Sequence, residues 1–145
     1  MIYVNRQNGR IYRLFFEEIS ILKPLFVKKA RQDVNFLLSI IEQEASEIFI
    51  AEIDIIGFSV IRQENTSNYT SVIPHKFTFI LDIFVLKKFR NKSAASKLIE
   101  KIKEWSIKKE SEYIELNVFE NNEKALKLYE KVGFNIEMLT LRKKI

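Results

Sequence analysis

The chain has 145 residues, of which 47% are hydrophobic and 30% charged, and its formal net charge is +5. This length and composition predict one globular domain over residues 1–145 with a buried core. The absence of cysteine excludes disulfides and thiolate chemistry, and a single histidine, His75, excludes a histidine-rich site, so we expect no metal. No apolar run is long enough to span a membrane and no secretory signal is recognisable, which predicts a cytoplasmic protein without a membrane partner.

The N-terminal region has the pattern of a β-hairpin. Asn8-Gly9 stands between two β-prone runs, at residues 2–7 and 10–16. Asn-Gly favours a two-residue turn between antiparallel strands. We therefore predict one strand on each side of this turn.

Two helices are predicted to follow the hairpin. The first covers about residues 21–30, where Pro24 is tolerated only near the first turn. The second begins after Asp33, a residue type that commonly caps helix N-termini, and helical spacing predicts an apolar face there. That face consists of Val34, Leu37, Leu38, Ile41 and Ala45.

The middle of the chain predicts three strands. They cover residues 46–52, 55–62 and 77–85, which alternate between polar and apolar residues or are apolar throughout. Asp54 marks a tight turn between the first two strands, and the polar segment 64–76 is the longest predicted loop.

The last third of the chain alternates between helix and strand. Helices at about 93–108 and 123–132 each have one apolar stripe, and Gly133 is a suitable residue to end the second. A strand at 113–118 lies between them, and residues 134–145 predict a further strand or a hairpin.

This order of elements predicts an α/β fold, with a mixed sheet of six to seven strands and about four helices. The strand–helix–strand segment 77–118 should hold its strands parallel through a crossover, whereas the earlier strands should pair antiparallel. Its helix begins in a basic turn at residues 90–95. Exposed amides at a helix start, together with the helix dipole, favour an anion at that turn.

Two motifs resemble the GNAT superfamily of acetyl-CoA-dependent N-acetyltransferases. The first is the strand-to-helix turn from Arg90 to Ala95, and the second runs from Asn122 through Tyr129 to Gly-Phe134. The resemblance covers nearly the whole chain, and the second motif is the more specific. It implies a GNAT-like fold and direct transfer of acetyl from acetyl-CoA to a primary amine of a small molecule or peptide.

The resemblance also implies which residues bind CoA. The strand edge at Ile83, Phe84 and Val85 would pair with the pantetheine amides, and Asn122 would orient the same arm. Main-chain amides from Asn91 to Ser96 would hold the pyrophosphate. The turn residues are Arg90, Asn91, Lys92, Ser93, Ala94, Ala95 and Ser96.

Tyr129 stands at the position of the family's general acid. A phenol with a pKa of about 10 stays protonated at pH 7 and can donate to the departing thiolate. Tyr129 shares a helix face with Ala125 and Val132, so spacing alone favours a tyrosine of the core, and the surrounding motif favours catalysis.

The sequence leaves the general base open. Leu81 stands where polyamine-acetylating relatives carry a glutamate. The candidates, acting directly or through a water, are Asp82, Glu52, Glu64, His75, Glu115 and Asn117. A base is dispensable if positioning the two reactants lowers the barrier enough.

Two alternatives follow from other features. Asn91 and Ser93 stand where the family has glycines, which approach phosphates closely and tolerate positive φ. This departure motivates a catalytically weak or inactive GNAT-like module that binds CoA or has a regulatory role.

The positive charge alone supports an RNA-directed acetyltransferase, but Lys and Arg are spread along the chain, so we do not expect a nucleic-acid partner. A homodimer through an exposed C-terminal strand is a further inference from the resemblance.

Overall fold

The computed structural model describes residues 6–25, 27–30, 33–51 and 56–145, without the side chains of residues 6–9 and 34. Two helices come first, three strands follow them, and helix and strand then alternate. They are α1 (Arg6–Leu22), α2 (Val34–Glu42), β1 (Ser46–Ala51), β2 (Gly57–Asn65), β3 (Lys76–Val85), α3 (Ala94–Lys108), β4 (Tyr113–Leu116) and α4 (Glu123–Lys131). One short 3-10 turn, Lys87–Phe89, lies between β3 and α3.

The strands form one mixed sheet in the order β1-β2-β3-β4. β2 is antiparallel to both β1 and β3, whereas β4 runs parallel to β3. A parallel neighbour needs a crossover, and α3 provides it, as the sequence predicts. The mixed α/β fold class is therefore confirmed, although the described residues form four strands rather than six to seven.

The predicted N-terminal hairpin is wrong. Helix α1 runs through Asn8-Gly9 and the predicted strand at 10–16, and it also replaces the start of the helix predicted at 21–30. Aromatic and β-branched residues favour strands, but here their helical spacing places Ile11 and Tyr12 in the core, at 5% and 3% exposed. Burial of one helical face therefore outweighs the local preference for a strand. Residues 1–5 lie outside the described residues.

Helix α2 confirms the predicted cap but changes the buried face. The Asp33 side chain accepts a hydrogen bond of 2.9 Å from the backbone amide two residues later. Leu37 and Ile40 are buried, whereas Leu38 and Ile41 are about two-fifths exposed. The face that packs on the sheet is therefore rotated from the one that the apolar spacing indicates.

Two apolar cores lie on opposite faces of the sheet. Alternation along β1 separates them, since Ile48 faces one core and Phe49 the other. Helices α1 and α2 cover the first core, which contains Ile11, Tyr12, Leu37, Ile40, Ile48, Phe58, Val60 and Phe84. Helix α3 covers the second, which contains Ile61, Ile80 and Ile102.

The helices and the strand predicted between residues 93 and 133 are confirmed, whereas the element predicted after Gly133 is not. Gly133 follows α4 with φ +96°, a left-handed conformation that favours glycine. Residues 135–145 contain no helix or strand, so the strand or hairpin predicted over 134–145 is wrong. None of the described helices is long and apolar enough to cross a membrane.

Candidate active site

A pocket opens where β3 and β4 separate. The two strands pair only from Phe77 to Ile80 on β3 and from Tyr113 to Leu116 on β4. Beyond this point β3 continues beside β2, and the chain after β4 leaves the sheet. The pocket between them has a volume of about 190 Å³. Its lining comes from α1, β3, the β4–α4 connection and α4: Phe15, Ile19, Ile80, Leu81, Asp82, Ile83, Leu116, Asn117, Val118, Phe119, Asn122 and Tyr129.

A β-bulge lies at the same place. Val60 of β2 faces Asp82 and the next residue, Ile61, faces Ile80, so Leu81 has no partner on β2. An extra residue of this kind bends its strand and redirects the side chains on each side of it. Both Leu81 and Asp82 line the pocket as a result.

Tyr129 projects from α4 to the pocket lining. Burial raises its pKa from 10.0 to about 12, because a phenolate would lose its hydration there. Its ring contacts Phe134 edge-on at 5.7 Å. Among the described residues its hydroxyl has no hydrogen-bond partner, so this protonated phenol is available to a molecule in the pocket.

Asp82 is the carboxylate of the pocket lining. The Tyr12 hydroxyl donates a hydrogen bond of 2.9 Å to its Oδ2. Burial raises the pKa of Asp82 above 3.8, and the hydrogen bond from Tyr12 opposes that shift. A half-buried carboxyl with a raised pKa is a stronger base than a solvated one.

The basic turn before α3 holds two residues in the left-handed conformation. Asn91 has φ 61° and Ser93 has φ 63°, the positions where the resemblance led us to expect glycine. The Ser93 hydroxyl donates to the Lys92 carbonyl at 2.6 Å and does not cap the helix. Ala94, Ala95 and Ser96 then form the first turn of α3, which contains no acidic residue. Their amides have no acceptor within the helix, so the turn retains the donors that an anion requires.

The Arg90 side chain connects this turn to α1 through hydrogen bonds. Its Nη2 donates to both carboxylate oxygens of Glu18, at 3.0 and 2.8 Å, and its Nε donates to the Val85 carbonyl at 2.8 Å. The guanidinium also lies 5.4 Å from the centre of the Phe84 ring. These contacts direct the Arg90 side chain towards α1.

The end of α1 contacts the β4–α4 connection on the other side of the pocket. Lys23 Nζ lies 2.6 Å from Glu120 Oε1, and Asn121 Nδ2 donates to the Leu22 carbonyl at 2.8 Å. Helix α1 therefore lies across the pocket, with polar contacts at both sides. No local pattern in the sequence predicts these contacts, because their partners are separated by 97 and 99 residues.

The remaining predicted CoA-binding residues lie on both sides of the opening. Phe84 and Val85 are buried, so only their main-chain groups can meet a ligand, whereas Ile83 lines the pocket. Asn122 also lines the pocket and caps α4, its Oδ1 accepting from the Ala125 amide at 3.4 Å. The structure thus brings Ile83, Asn122 and Tyr129 together around one cavity.

The geometry narrows the candidates for the general base. Asp82 and Asn117 line the pocket, whereas His75 forms a pair with Glu112 at 2.6 Å and Glu64 pairs with Arg62. Glu115 does not contribute to the pocket lining, and Glu52 lies outside the described residues. The part of the chain that the structure describes contains no group of three or more histidine or acidic residues that could hold a metal ion.

Several solved structures share this fold. A tetramutant of the BH1408 protein from Bacillus halodurans is 19% identical, with a TM-score of 0.88; the match covers 96% of this chain and 92% of that one. The aminoglycoside N-acetyltransferase AAC(6')-Iy in complex with CoA is 22% identical, with a TM-score of 0.65 over 77% of this chain and 86% of that one. The aminoglycoside acetyltransferase meta-AAC0020 from an uncultured soil metagenomic sample is 16% identical, with a TM-score of 0.68 over 99% of this chain and 91% of that one.

The sequence comparisons give the family. No curated protein sequence matches the chain. The family model described as the acetyltransferase (GNAT) family matches residues 10–134, which include most of α1, the bulged strand, the basic turn and Tyr129. Because this match covers most of the chain, the protein belongs to the acetyltransferase (GNAT) family and is an acyl-CoA-dependent acyltransferase.

Proposed function

We propose that this protein transfers acetyl from acetyl-CoA directly to a primary amine of a small molecule or peptide, with Tyr129 as the general acid. The observation that carries the proposal is the position of Tyr129, a protonated phenol without a protein partner among the described residues, in the lining of the pocket. Membership of the acetyltransferase family supports the reaction class.

Acetyl-CoA supplies the thioester. We assign its pantetheine arm to the open side of the pocket and its pyrophosphate to the basic turn. Main-chain groups of residues 83–85 face a gap without a neighbouring strand among the described residues, and such groups can pair with the amides of pantetheine. The pyrophosphate suits the amides of residues 91–96 at the start of α3. Lys92 is exposed beside that turn and adds positive charge. We assign the pantetheine arm to the side chain of Asn122 as well, because this residue lines the pocket.

The reaction needs one proton acceptor and one proton donor. An amine that arrives as a cation first loses one proton to water. The neutral nitrogen then forms its bond to the acetyl carbon while the carbon–sulfur bond breaks, and the nitrogen loses a second proton. We assign this second proton to Asp82, directly or through a water, because burial gives this carboxylate a raised pKa. Tyr129 donates its phenolic proton to the departing thiolate and recovers one from solvent, and Asp82 releases its proton to solvent. Tyr12 orients Asp82 through their hydrogen bond of 2.9 Å.

The pocket lining points to an amine with one positive charge. Asp82 is the carboxylate among the described lining residues, and most of the others are apolar. A polycation would have to leave water without a matching set of carboxylates, which is costly. We therefore expect an amine attached to an apolar group to be a better acceptor than an aminoglycoside.

The test measures CoA release from acetyl-CoA with a panel of apolar monoamines, peptides with a free N-terminus and aminoglycosides. With the best acceptor, Tyr129→Phe should lower kcat by about 10²-fold, since it removes only the proton that a general acid supplies. Calorimetry with CoA serves as the control, because the variant should bind CoA as the wild type does. Unchanged turnover of Tyr129→Phe would refute the role of this residue, and absence of CoA binding at millimolar concentration would refute the proposal as a whole.

The strained turn favours one alternative, a GNAT-like module that binds CoA without transferring acetyl. Asn91 and Ser93 have side chains at left-handed positions, where a Cβ limits the approach of a phosphate. Such a module would bind CoA in the same calorimetric experiment and release none with any amine of the panel. Acetyl transfer at an ordinary enzymatic rate excludes it.

A further inference from the structure

One polar side chain of the pocket lining, that of Asn117, takes no part in the proton transfers. Asn117 directly follows β4, whose last residue, Leu116, forms the final pair with β3. The side-chain amide of Asn117 forms no hydrogen bond with any of the described residues. An amide of this kind offers two N–H donors and one oxygen acceptor. It is therefore available to a polar group of a molecule that occupies the pocket.

The Asn117 amide and the Asp82 carboxylate lie on the same side of the sheet. Leu116 packs on the second core, so alternation directs the next side chain, that of Asn117, towards the face that α1 covers. Asp82 points to this face too, because it accepts a hydrogen bond from Tyr12, a residue of the first core. Neighbouring strands lie about 4.8 Å apart, and these two separate beyond Leu116. A small acceptor can therefore meet both polar groups at once.

We propose that Asn117 binds a carbonyl oxygen next to the amine of the acceptor, so that the acceptor is an α-amino amide, the group found at the N-terminus of a peptide. This inference rests on the proposed function, in which the amine faces Asp82. In an α-amino amide a single carbon atom separates the amine from the carbonyl group, which suits two protein groups on neighbouring strands. Asn117 Nδ2 donates to the carbonyl oxygen and fixes the amine beside Asp82.

The charge of the pocket favours an amide over a free amino acid. The carboxylate of an amino acid would lie close to the carboxylate of Asp82, and like charges at this distance repel each other. The lining residues that the structure describes include no lysine or arginine that could neutralise a second negative charge. A neutral carbonyl oxygen meets no such penalty and still accepts a hydrogen bond from Asn117.

The position of Asn117 also leaves room for a longer chain. Asn117 is exposed, so a carbonyl bound to it lies at the mouth of the pocket. The rest of a peptide can then leave the pocket there. The side chain of the first peptide residue would meet the apolar part of the lining, which includes Phe15, Ile19 and Phe119. We therefore expect an apolar first residue to be preferred.

A matched pair of amines tests the inference, because L-phenylalaninamide and 2-phenylethylamine differ only by the carboxamide. Asn117→Ala should lower kcat/KM for the amide by about 5- to 10-fold, as expected for the loss of one neutral hydrogen bond. The value for 2-phenylethylamine should stay unchanged. Measuring both amines with both proteins cancels their difference in basicity. Glu115→Ala is the matched control, since Glu115 lies two residues earlier, outside the lining, and should leave both values unchanged.

Calorimetry with the protein saturated with CoA gives the same comparison without turnover, since each amine can be titrated into the CoA complex. Asn117→Ala should again weaken binding of the amide alone. An equal loss for both amines, or no loss for either, would overturn the role of Asn117 and leave the proposed function intact. L-phenylalanine used as efficiently as its amide would overturn the assignment of the acceptor. The proposed function itself fails by different results, which are unchanged turnover of Tyr129→Phe or absence of CoA binding.

Discussion

The two walls of the pocket are held by different kinds of contact. The wall made by β3, the main-chain wall, depends on pairing between strands, since β3 pairs with β2 along its length. The wall made by α1, the side-chain wall, depends on apolar packing in the middle and on the Arg90–Glu18 and Lys23–Glu120 pairs at its sides. Main-chain pairing tolerates most substitutions of side chains, whereas the α1 wall can be loosened one contact at a time.

The strongest test of the main-chain wall is Gly57→Ala. A Cβ at Gly57 would lie 2.7 Å from the Phe84 carbonyl oxygen and 3.0 Å from Val85 Cγ2, so β2 and β3 would have to move apart. Urea unfolding should show a loss of about 1–3 kcal/mol, the usual cost of overpacking. Ser59→Ala in the same strand is the control, because its buried hydroxyl has no partner among the described residues. This control should be neutral or stabilising. A neutral Gly57→Ala would show that the two strands are not tightly apposed.

The Arg90–Glu18 pair tests the side-chain wall. Removing either partner leaves the other partly buried and unpaired, so Arg90→Gln and Glu18→Gln should each cost about 1–2 kcal/mol of unfolding free energy. The double variant should cost less than the sum of the two, because the residues interact. Both variants should raise KM for acetyl-CoA more than they lower kcat. Additive effects on stability would contradict a direct pair.

The exposed Lys101–Glu104 pair is the control for this experiment. Its atoms approach to 2.7 Å, as closely as those of Arg90 and Glu18, but both side chains are more than half exposed. Solvent screens such exposed pairs, so we expect a coupling much smaller than that between Arg90 and Glu18.

Ser93→Gly tests strain in the basic turn. Glycine adopts φ 63° without the steric cost that a Cβ imposes, so the variant should gain about 1 kcal/mol of stability. Its KM for acetyl-CoA should fall, because the main chain can approach the pyrophosphate more closely. Ser96→Gly, placed within α3, is the control and should lose about 0.5–1 kcal/mol. A destabilised Ser93→Gly would show that this residue is not strained.

The smallest expected effect concerns Asp82 and pH. Its folded pKa is raised above 3.8, so the native state binds more protons than the unfolded state as the pH rises from 3.8 towards the folded pKa. Stability from this group therefore falls over that window and stays lower at neutral pH. Asp82→Asn can still accept the hydrogen bond from Tyr12, and it should be at least as stable as the wild type at pH 7. The two curves of unfolding free energy against pH should converge in acid. A variant that loses stability only at neutral pH would contradict the raised pKa.

The main-chain wall, β3, is also the part of the pocket that could be predicted from the sequence. Local patterns locate β3, α3 and α4, and Tyr129 can be placed from a short motif around Gly133. The left-handed positions of Asn91 and Ser93 could be inferred only because other family members have glycine there. Their actual φ angles needed the structure.

The wall made by α1 could not be predicted, because its residues favour a strand locally and its position depends on distant partners. Tyr12 meets Asp82, which lies 70 residues away, and Asn121 meets Leu22 over 99 residues. The prediction of a strand over residues 134–145 was wrong for a related reason. The apolar pattern indicates a strand, but no strand of the described residues pairs with this segment.

Helix α1 also bears on the order of folding during synthesis. It is the first described element to leave the ribosome, yet its end contacts Glu120 and Asn121, near the end of the chain. Contacts between residues so far apart form late, after the segment that joins them has been made. The aromatic face of α1, with Tyr12 and Phe15, is covered earlier, once β2 and β3 bring Phe58 and Phe84 against it. We therefore expect the nascent chain to depend on chaperones until β3 has emerged, and the pocket to be among the last features of the molecule to form.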